Sequence, residues 1–460
     1  METLQRTANR GSVSTGYDIA NSCKFEADNS EYLSKTPSSA GNRKTWTFSG
    51  WVKRTEIGSG GNQILSAGDT YIQFDGNALQ INFRAASENF FIITNRLFRD
   101  TSAWYHIVVQ CDTTQGTASN RAKVWVNGVQ ETSFSTSTYD NMALNYDTLM
   151  NSTNEHEVGK YSNEETTYAN LFNGYMAELH LVDGTALTPT SFGEFDDDSG
   201  IWKPKAYTGS HGTNGFYLDF EDGSNMGNDA SGGTDFAETN ITAADQATDT
   251  PTNNFATLNP LIYDINSGDD ESYVCFNGAT SIAASKNAYA QNYATIGLNI
   301  ASGGKWYFEW TATSTANGSS SEGLCGLGFD TQWDAGLNST GVYNAGYAFY
   351  AAGFGHGDGY GANVVNGFLV DLDNNKIKWY RNGSLHVTMP DDGGSTMQTS
   401  GYAFPYIAPY GSGYTINVNL GGFTAQAISS ANTDPNGYGS FEYPTQDGYA
   451  ICTKNLAEFG

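Results

Sequence analysis

The stretch Val364-Val-Asn-Gly-Phe-Leu-Val-Asp-Leu-Asp-Asn-Asn-Lys-Ile-Lys-Trp-Tyr-Arg-Asn-Gly-Ser-Leu385 decides the fold. Phe368, Val370 and Leu372 share one face at period two, the pattern of a half-buried strand. Asp373-Asn374-Asn375 tolerates positive φ and reverses the chain in a tight hairpin. Ile377 and Trp379 resume the alternation, and Asn382-Gly383 makes a second turn. An equivalent unit lies earlier in the chain. Trp104-Tyr-His-Ile-Val-Val-Gln-Cys-Asp112 reads as a strand, Thr113 to Asn120 as a polar turn, and Lys123-Val-Trp-Val-Asn-Gly128 as a strand entering an Asn-Gly turn. Two such centres predict two separate β domains.

Composition agrees with that expectation. A chain of 460 residues can bury two or three cores, and its 53 glycines, 28 tyrosines and 25 phenylalanines suit an all-β architecture rich in turns. No apolar run reaches the ~18–20 residues that span a bilayer, and Met-Glu-Thr-Leu-Gln-Arg-Thr lacks the apolar stretch of a signal peptide. The net charge of −27, from 49 acidic and 22 basic residues, should repel nucleic acid and anionic membranes. It also supplies carboxylates for a hard cation such as Ca²⁺. The five cysteines (Cys23, Cys111, Cys275, Cys325, Cys452) are scattered, without CxxC spacing. Cys111, Cys325 and Cys452 sit among apolar residues and predict small buried hydrophobes; zinc or redox chemistry is not expected, and folding without disulfides suits assembly in a reducing cytoplasm.

Taken in order, residues 1–20 show no periodicity and read as an N-terminal arm. From Cys23 the pattern becomes that of short strands: Lys24–Leu33 with a turn at Asp28-Asn29, Trp46–Lys53, Gln63–Ala67, Tyr71–Phe74, Leu79–Phe83, Phe90–Thr94, His156–Lys160 and Phe172–Val182. Such spacing predicts a sandwich or barrel. Five pieces in order resemble the signature strands of laminin-G-like, concanavalin-A-like jelly rolls. They are Phe25-Glu-Ala-Asp-Asn-Ser-Glu-Tyr, Thr47-Phe-Ser-Gly-Trp-Val, Trp104-Tyr-His-Ile-Val, Val124-Trp-Val-Asn-Gly and Phe172-Asn-Gly-Tyr-Met-Ala-Glu-Leu-His-Leu. The resemblance implies a two-sheet sandwich that binds glycan or protein. After an acidic run at Asp196–Asp198, Gly215–Phe220 is one more strand, available to return to this sandwich.

Residues 221–260, rich in Gly, Asn, Asp, Thr and Ala, predict an extended connector. Its end, Asp249-Thr-Pro-Thr-Asn-Asn-Phe-Ala-Thr-Leu-Asn-Pro260, resembles a segment of virion and tail-fibre proteins of marine bacteriophages, as does Cys452-Thr-Lys-Asn-Leu456. Between them, Lys305–Trp310, Cys325–Phe329, Tyr347–Tyr350, the opening hairpin, Phe404–Tyr410 and Thr415–Leu420 resemble in order the strands of a SPRY domain. That resemblance implies a second sandwich, residues 261–460, that presents loops to partners and carries no catalytic residues. The fold class expected is therefore all-β: two antiparallel jelly-roll sandwiches, 21–220 and 261–460, joined by the connector.

Three constellations bear on chemistry. Glu26-Ala-Asp28-Asn-Ser-Glu31 satisfies the ExDxxE string of laminarinase-like glycoside hydrolases, where two carboxylates about 5–5.5 Å apart serve a retaining mechanism. That enzyme motif sits on a central cleft strand, whereas here Asn29-Ser30 reads as the opening turn of the jelly roll. Pentraxin-like sandwiches hold calcium between two acidic loops, which correspond here to Gly68-Asp69-Thr70 and Gly159–Glu165. The resemblance implies Ca²⁺ ligands at Asp69, Asn163, Glu164 and Glu165, with hard oxygen donors suited to that ion. Thr70 departs from the family, which has an amide or acid there, and the second loop is longer, so a solvated acidic loop competes with this reading. Gly353-Phe-Gly-His356-Gly-Asp358-Gly-Tyr360-Gly-Ala resembles a SPRY binding loop; His356, Asp358 and Tyr360 can stack on and hydrogen-bond a ligand.

The function expected is a non-enzymatic structural protein of a phage particle, assembled in the host cytoplasm and placed as a tail fibre, spike or capsid-surface protein. Its sandwiches would contact host-surface glycan or neighbouring subunits, and a homo-oligomer is expected. Residues 1–20 would join it to other phage structural proteins, with Leu4, Val13, Tyr17 and Ile19 as anchors and Arg6 and Arg10 paired with a neighbour's acids. A glycan depolymerase working from the first sandwich is the alternative, and a bacterial surface adhesin is a third reading.

Overall fold

The structure, a computed structural model, describes residues 16–58, 60–83, 90–161, 170–261, 273–284, 292–313, 323–329, 348–350, 362–389, 400–409 and 415–459. Described residues up to Thr252 form one compact unit and those from Asn253 onward a second. Both are built from antiparallel sheets, and one α-helix, Thr453–Phe459, stands among the described residues. No helix among them is long and apolar enough to cross a membrane.

The first unit contains two eight-stranded sheets. One runs Val129–Gln130, Ala122–Val126, Trp104–Asp112, Thr45–Arg54, Gly174–Asp183, Ser22–Phe25, Gln246–Ala247, with Phe216–Leu218 also paired to Gly174–Asp183. The other runs Phe134–Ser137, Phe91–Leu97, Ala78–Phe83, Thr70–Asp75, Gly61–Ala67, His156–Val158, Tyr32–Lys35, Ala237–Thr239. Alternation sets the core between them: Trp46, Phe48 and Val52 of the first sheet share one cluster with Ile72, Phe74, Leu79 and Ile81 of the second. Gly50 is needed for close packing, because a Cβ there would come within 2.6 Å of Leu179 Cδ2. The turn through Asp28-Asn29 carries the chain from one sheet to the other.

Two expectations are corrected in this unit. Residues 221–252 are not an extended connector: Ala237–Thr239 pairs with Tyr32–Lys35, and Gln246–Ala247 pairs with Ser22–Phe25. Their few large apolar side chains, Met226, Phe236 and Ile241, all enter the core. The rest of the attachment is polar. Lys53 Nζ meets Asp249 Oδ2 at 2.7 Å, Trp104 Nε1 donates to Asp249 Oδ1 at 3.0 Å, and Lys24 Nζ lies 2.8 Å from Asp245 and 2.9 Å from Glu31. These contacts cover the outer side of the first sheet near Lys24, Lys53 and Trp104, while Thr185, Leu187, Phe192 and Trp202 cover it near Thr47, Ser49 and Trp51, and nine of the ten residues of Thr45–Arg54 are buried. The second correction concerns the arm. Tyr17 donates its hydroxyl to Glu178 at 2.8 Å, and Ile19 exchanges two backbone bonds with Thr252 Oγ1 at 3.1 Å each. Both anchors expected on a neighbour are thus engaged within their own unit; Leu4, Arg6, Arg10 and Val13 lie outside the described residues.

The second unit has an eight-stranded sheet, Tyr273–Phe276, Ser281–Ala284, Thr415–Asn419, Lys305–Ala312, Asn366–Asp371, Lys376–Arg381, Ser384–Met389, with Tyr449–Ala450 added in parallel to Lys305–Ala312. Its five-stranded sheet comprises Asn292–Tyr293, Tyr402–Pro409, Gly323–Phe329, Ala348–Tyr350 and Leu298–Asn299. The hairpin forms as its sequence dictates. Phe368, Val370, Leu372, Ile377 and Trp379 all face one core, with Phe308, Phe368 and Trp379 stacked across three strands at 5.3 and 6.0 Å. Asn375, Asn382 and Gly383 take the positive φ values of 52°, 44° and 75° that the turns require. The outer side is covered too: Leu369 and Tyr380 pack with Phe255, Phe441, Ala450 and Cys452.

The beginning and end of this unit clasp each other. Asn254 N–H donates to Thr453 Oγ1 at 3.0 Å, Thr453 N–H returns to Asn254 O at 2.9 Å, and Ala256 N–H donates to Ile451 O at 3.0 Å. The segments around Asn254 and Thr453 are therefore each other's partners. Buried Asp434 fixes the tail, accepting from the N–H groups of Asn436, Tyr438 and Ala450 and from Asn455 Nδ2.

Candidate functional site

The second sheet of the first unit turns a polar face away from the core. Since Ile72, Phe74, Leu79 and Ile81 point inward, Tyr71, Gln73, Gln80 and Asn82 point the other way. Strand register places two rows on that face. Gln63 pairs with Gln73, Gln73 with Gln80, and Gln80 with Ile93; Glu157 pairs with Ser66, Ser66 with Tyr71, and Tyr71 with Asn82.

The amides are linked. Asn170 Nδ2 donates to Gln73 Oε1 at 3.2 Å, Gln73 Nε2 to Gln80 Oε1 at 3.0 Å, and Gln80 Nε2 lies 3.5 Å from the Tyr71 hydroxyl. Gln63 Nε2 donates to two backbone carbonyls, Leu65 at 2.7 Å and Ile72 at 3.1 Å, across a bulge in its strand. Two acceptors remain over: Gln63 Oε1 and Asn82 Oδ1 are buried without a hydrogen-bond partner. Such atoms cost about 1–3 kcal/mol each unless something donates to them. The tyrosines flank the rows, with the rings of Tyr71 and Tyr161 tilted together at 4.9 Å and both half-exposed.

Asp69, the one expected calcium ligand among the described residues, stands beside this face. Its Oδ1 accepts the Tyr161 hydroxyl at 2.7 Å. Asn163, Glu164 and Glu165 lie outside the described residues, as do His356, Asp358 and Tyr360. Among the described residues no three His, Cys, Asp or Glu side chains converge as a metal site. A single carboxylate does not make a Ca²⁺ site, which takes about six to eight oxygens.

The ExDxxE residues are dispersed. Glu31 is buried, with both carboxylate oxygens 2.9 Å from Lys24 Nζ; Glu26 is buried and Asp28 exposed on the intervening turn. Burial raises the Glu31 pKa, and the Lys24 ammonium opposes that shift. On the outer side of the first sheet Glu178 takes φ +51° at a bulge and accepts from Tyr17 and Tyr217 at 2.8 Å. His180 stacks on Tyr217 at 4.3 Å and hydrogen-bonds His211 at 3.1 Å. These groups satisfy one another. The thiols of Cys23, Cys111 and Cys452 are buried, which pushes their pKa values up and leaves them unreactive.

Sequence reasoning located the strands that carry Gln73 and Gln80 but missed the face itself. The alternation in Tyr71–Phe74 and Leu79–Phe83 was its signal, since period two assigns the amides to the side opposite the core.

Residues 27–191 match the family model of the concanavalin A-like lectin/glucanases superfamily, in its Laminin_G_3 form. The first unit is therefore a concanavalin A-like domain. No match is found among curated proteins. Similar solved structures include a Bacteroides ovatus protein described as a "putative carbohydrate binding protein", at 16% identity over 49% of this chain and 60% of that one, with a TM-score of 0.31. The chain is also similar to the SPRY domain of human HERC1 (12% identity, 32% of this chain, 92% of that one, TM-score 0.24). A third is the heptameric SAP-like pentraxin of Limulus polyphemus (17% identity, 38% and 80%, TM-score 0.27).

Proposed function

We propose that the chain is a non-enzymatic structural protein of a phage particle whose first sandwich binds host-surface glycan. The observation that supports glycan binding is the pair of partly exposed tyrosines, Tyr71 and Tyr161, held over a linked row of buried amides, Gln63, Gln73, Gln80 and Asn82. Amides offer both donors and acceptors to sugar hydroxyls, and tyrosine rings offer apolar surface with a polar tip. The phage role rests on the resemblance of Asp249–Pro260 and Cys452–Leu456 to virion and tail-fibre proteins. Ca²⁺ held by Asp69 with Asn163, Glu164 and Glu165 belongs to the same proposal.

Affinity electrophoresis of the full chain through gels containing polysaccharide tests the binding. Retardation that is lost in Tyr71→Ala, with the melting temperature unchanged, is the expected result; equal retardation of wild type and variant would place binding elsewhere. For the particle role, the chain should be found in purified virions at a fixed copy number. A melting temperature raised by millimolar Ca²⁺, reversed by chelator and insensitive in Asp69→Ala, is the expected signature of the metal.

A further inference from the structure

We propose that Lys24 and Asp245 condense to an intramolecular amide, with Glu31 carrying the proton, so that the first strand of the first unit is covalently tied to its last segment. The inference is independent of glycan binding and stands on geometry. Lys24 Nζ lies 2.8 Å from Asp245 Oδ1 and 2.9 Å from both Glu31 oxygens, and the side chains of Lys24, Glu31 and Asp245 are 2%, 3% and 10% exposed. One ammonium therefore serves two carboxylates, and the buried cluster keeps an excess negative charge, which is costly to take out of water. Both acids are also oriented. Asn29 Nδ2 donates to Glu31 Oε1 at 3.0 Å. The other Asp245 oxygen, Oδ2, accepts the Thr242 N–H at 2.9 Å and the Thr242 hydroxyl at 3.2 Å.

Burial disfavours the Lys24 ammonium while the two carboxylates favour it, with a net rise in its pKa. The amine is freed by passing a proton to Glu31, whose own pKa burial raises. The amine nitrogen then attacks Asp245 Cγ, and the negative charge that gathers on Oδ2 is held by the two Thr242 donors. Glu31 returns its proton to Oδ1. With a second hydrogen from the amine that oxygen leaves as water, so the C–O bond breaks as the C–N bond is completed. One N–H stays on the amide, and no oxidant, reductant or co-reactant is consumed. Contact between Nζ and the carboxylate supplies the proximity that such a condensation lacks in water. The backbone register Ser22↔Ala247 and Cys23↔Gln246 holds the two segments together beside the reacting pair. Nearly all of the first unit lies between the two residues, so the bond would keep either end from peeling away.

The test uses the full chain, folded and then denatured, and mapped by mass spectrometry after proteolysis. A branched peptide that joins Lys24 to Asp245 and lacks the mass of one water is the expected result, with no tryptic cleavage after Lys24. Separate, unmodified peptides carrying Lys24 and Asp245 would overturn the proposal. So would a missing water confined to one peptide, as a succinimide at Asp75-Gly76 gives. A branch joining Lys53 to Asp249, the other buried lysine–aspartate pair of this unit, in place of Lys24 and Asp245 would overturn the assignment. Asp245→Ala should abolish the branched peptide. Glu31→Gln, which keeps the shape of the acid, should slow its formation by about 10²–10⁴-fold. Undiminished joining in folded Glu31→Gln would overturn proton transfer through Glu31. The wild-type map decides the bond whether or not either variant folds.

Discussion

His106 and His156 show how a residue's protonation is fixed by its partners. The Trp202 indole can only donate, so its 3.0 Å bond makes His106 Nδ1 an acceptor and leaves Nε2–H for Ser49 Oγ at 2.8 Å. His156 Nε2 accepts from the Asn151 N–H at 3.0 Å, so Nδ1–H donates to Asn154 O at 2.9 Å. Both rings are buried neutral, and burial lowers their pKa values to about 3 and about 4 respectively. A folded pKa below the unfolded value of about 6.5 means that this stability is fully present above pH ~6.5 and is lost as pH falls toward ~4. For His156 the loss at pH ~4 is on the order of 3 kcal/mol. Urea midpoints of the full chain should fall through that window, and His156→Gln should flatten the fall; an unchanged slope in the variant would show that His156 is not buried neutral. Lys53 permits a second prediction. Lys53→Met leaves Asp249 buried and uncompensated, and should cost about 3–5 kcal/mol in urea denaturation. Lys53→Met/Asp249→Leu should recover part of that loss, and a double variant no better than the single would mean the pair is not coupled.

Among the elements, the strands were legible where one physical signal governs. The alternation of Phe368, Val370 and Leu372, and the Asn-Gly turns after them, depend only on side-chain period and positive φ, and the hairpin follows both. Residues 221–252 carried no such signal because few of their side chains are apolar, and they attach through Asp245, Asp249 and short backbone ladders to partners some two hundred residues away. Composition predicts whether a segment can make its own core; it does not show whether the segment will be a polar cover on another. The amide face was hidden for a related reason. Alternation assigns Gln73 and Gln80 to the outer side, but only strand register brings them beside Gln63 and Asn170. A fragment of residues 16–252 should melt as one cooperative transition, whereas 21–220 should be destabilised or molten, lacking Asp245, Asp249 and the strands at Ala237–Thr239 and Gln246–Ala247. Equal melting temperatures for the two fragments would show that the cover contributes nothing.

On the scale of the whole molecule, two sandwiches are each closed by polar or looped segments on the outer side of one sheet, and in the first unit the other sheet keeps its outward amides. Catalysis from the ExDxxE string is not expected, because Glu31 neutralises Lys24 and Asp28 is on a turn. Reducing-end assays on marine and capsular polysaccharides should show no release; turnover abolished in Glu26→Gln or Glu31→Gln with folding intact would overturn the binding proposal in favour of a depolymerase. The most direct test of glycan recognition by the amide face is the side-chain amide NMR spectrum of the full chain during titration with a neutral glucan. Saturable shifts of the Gln63, Gln73, Gln80 and Asn82 side-chain amides, with the other Asn and Gln signals still, are the predicted result. Saturation of the glucan with those four amides unmoved would contradict it.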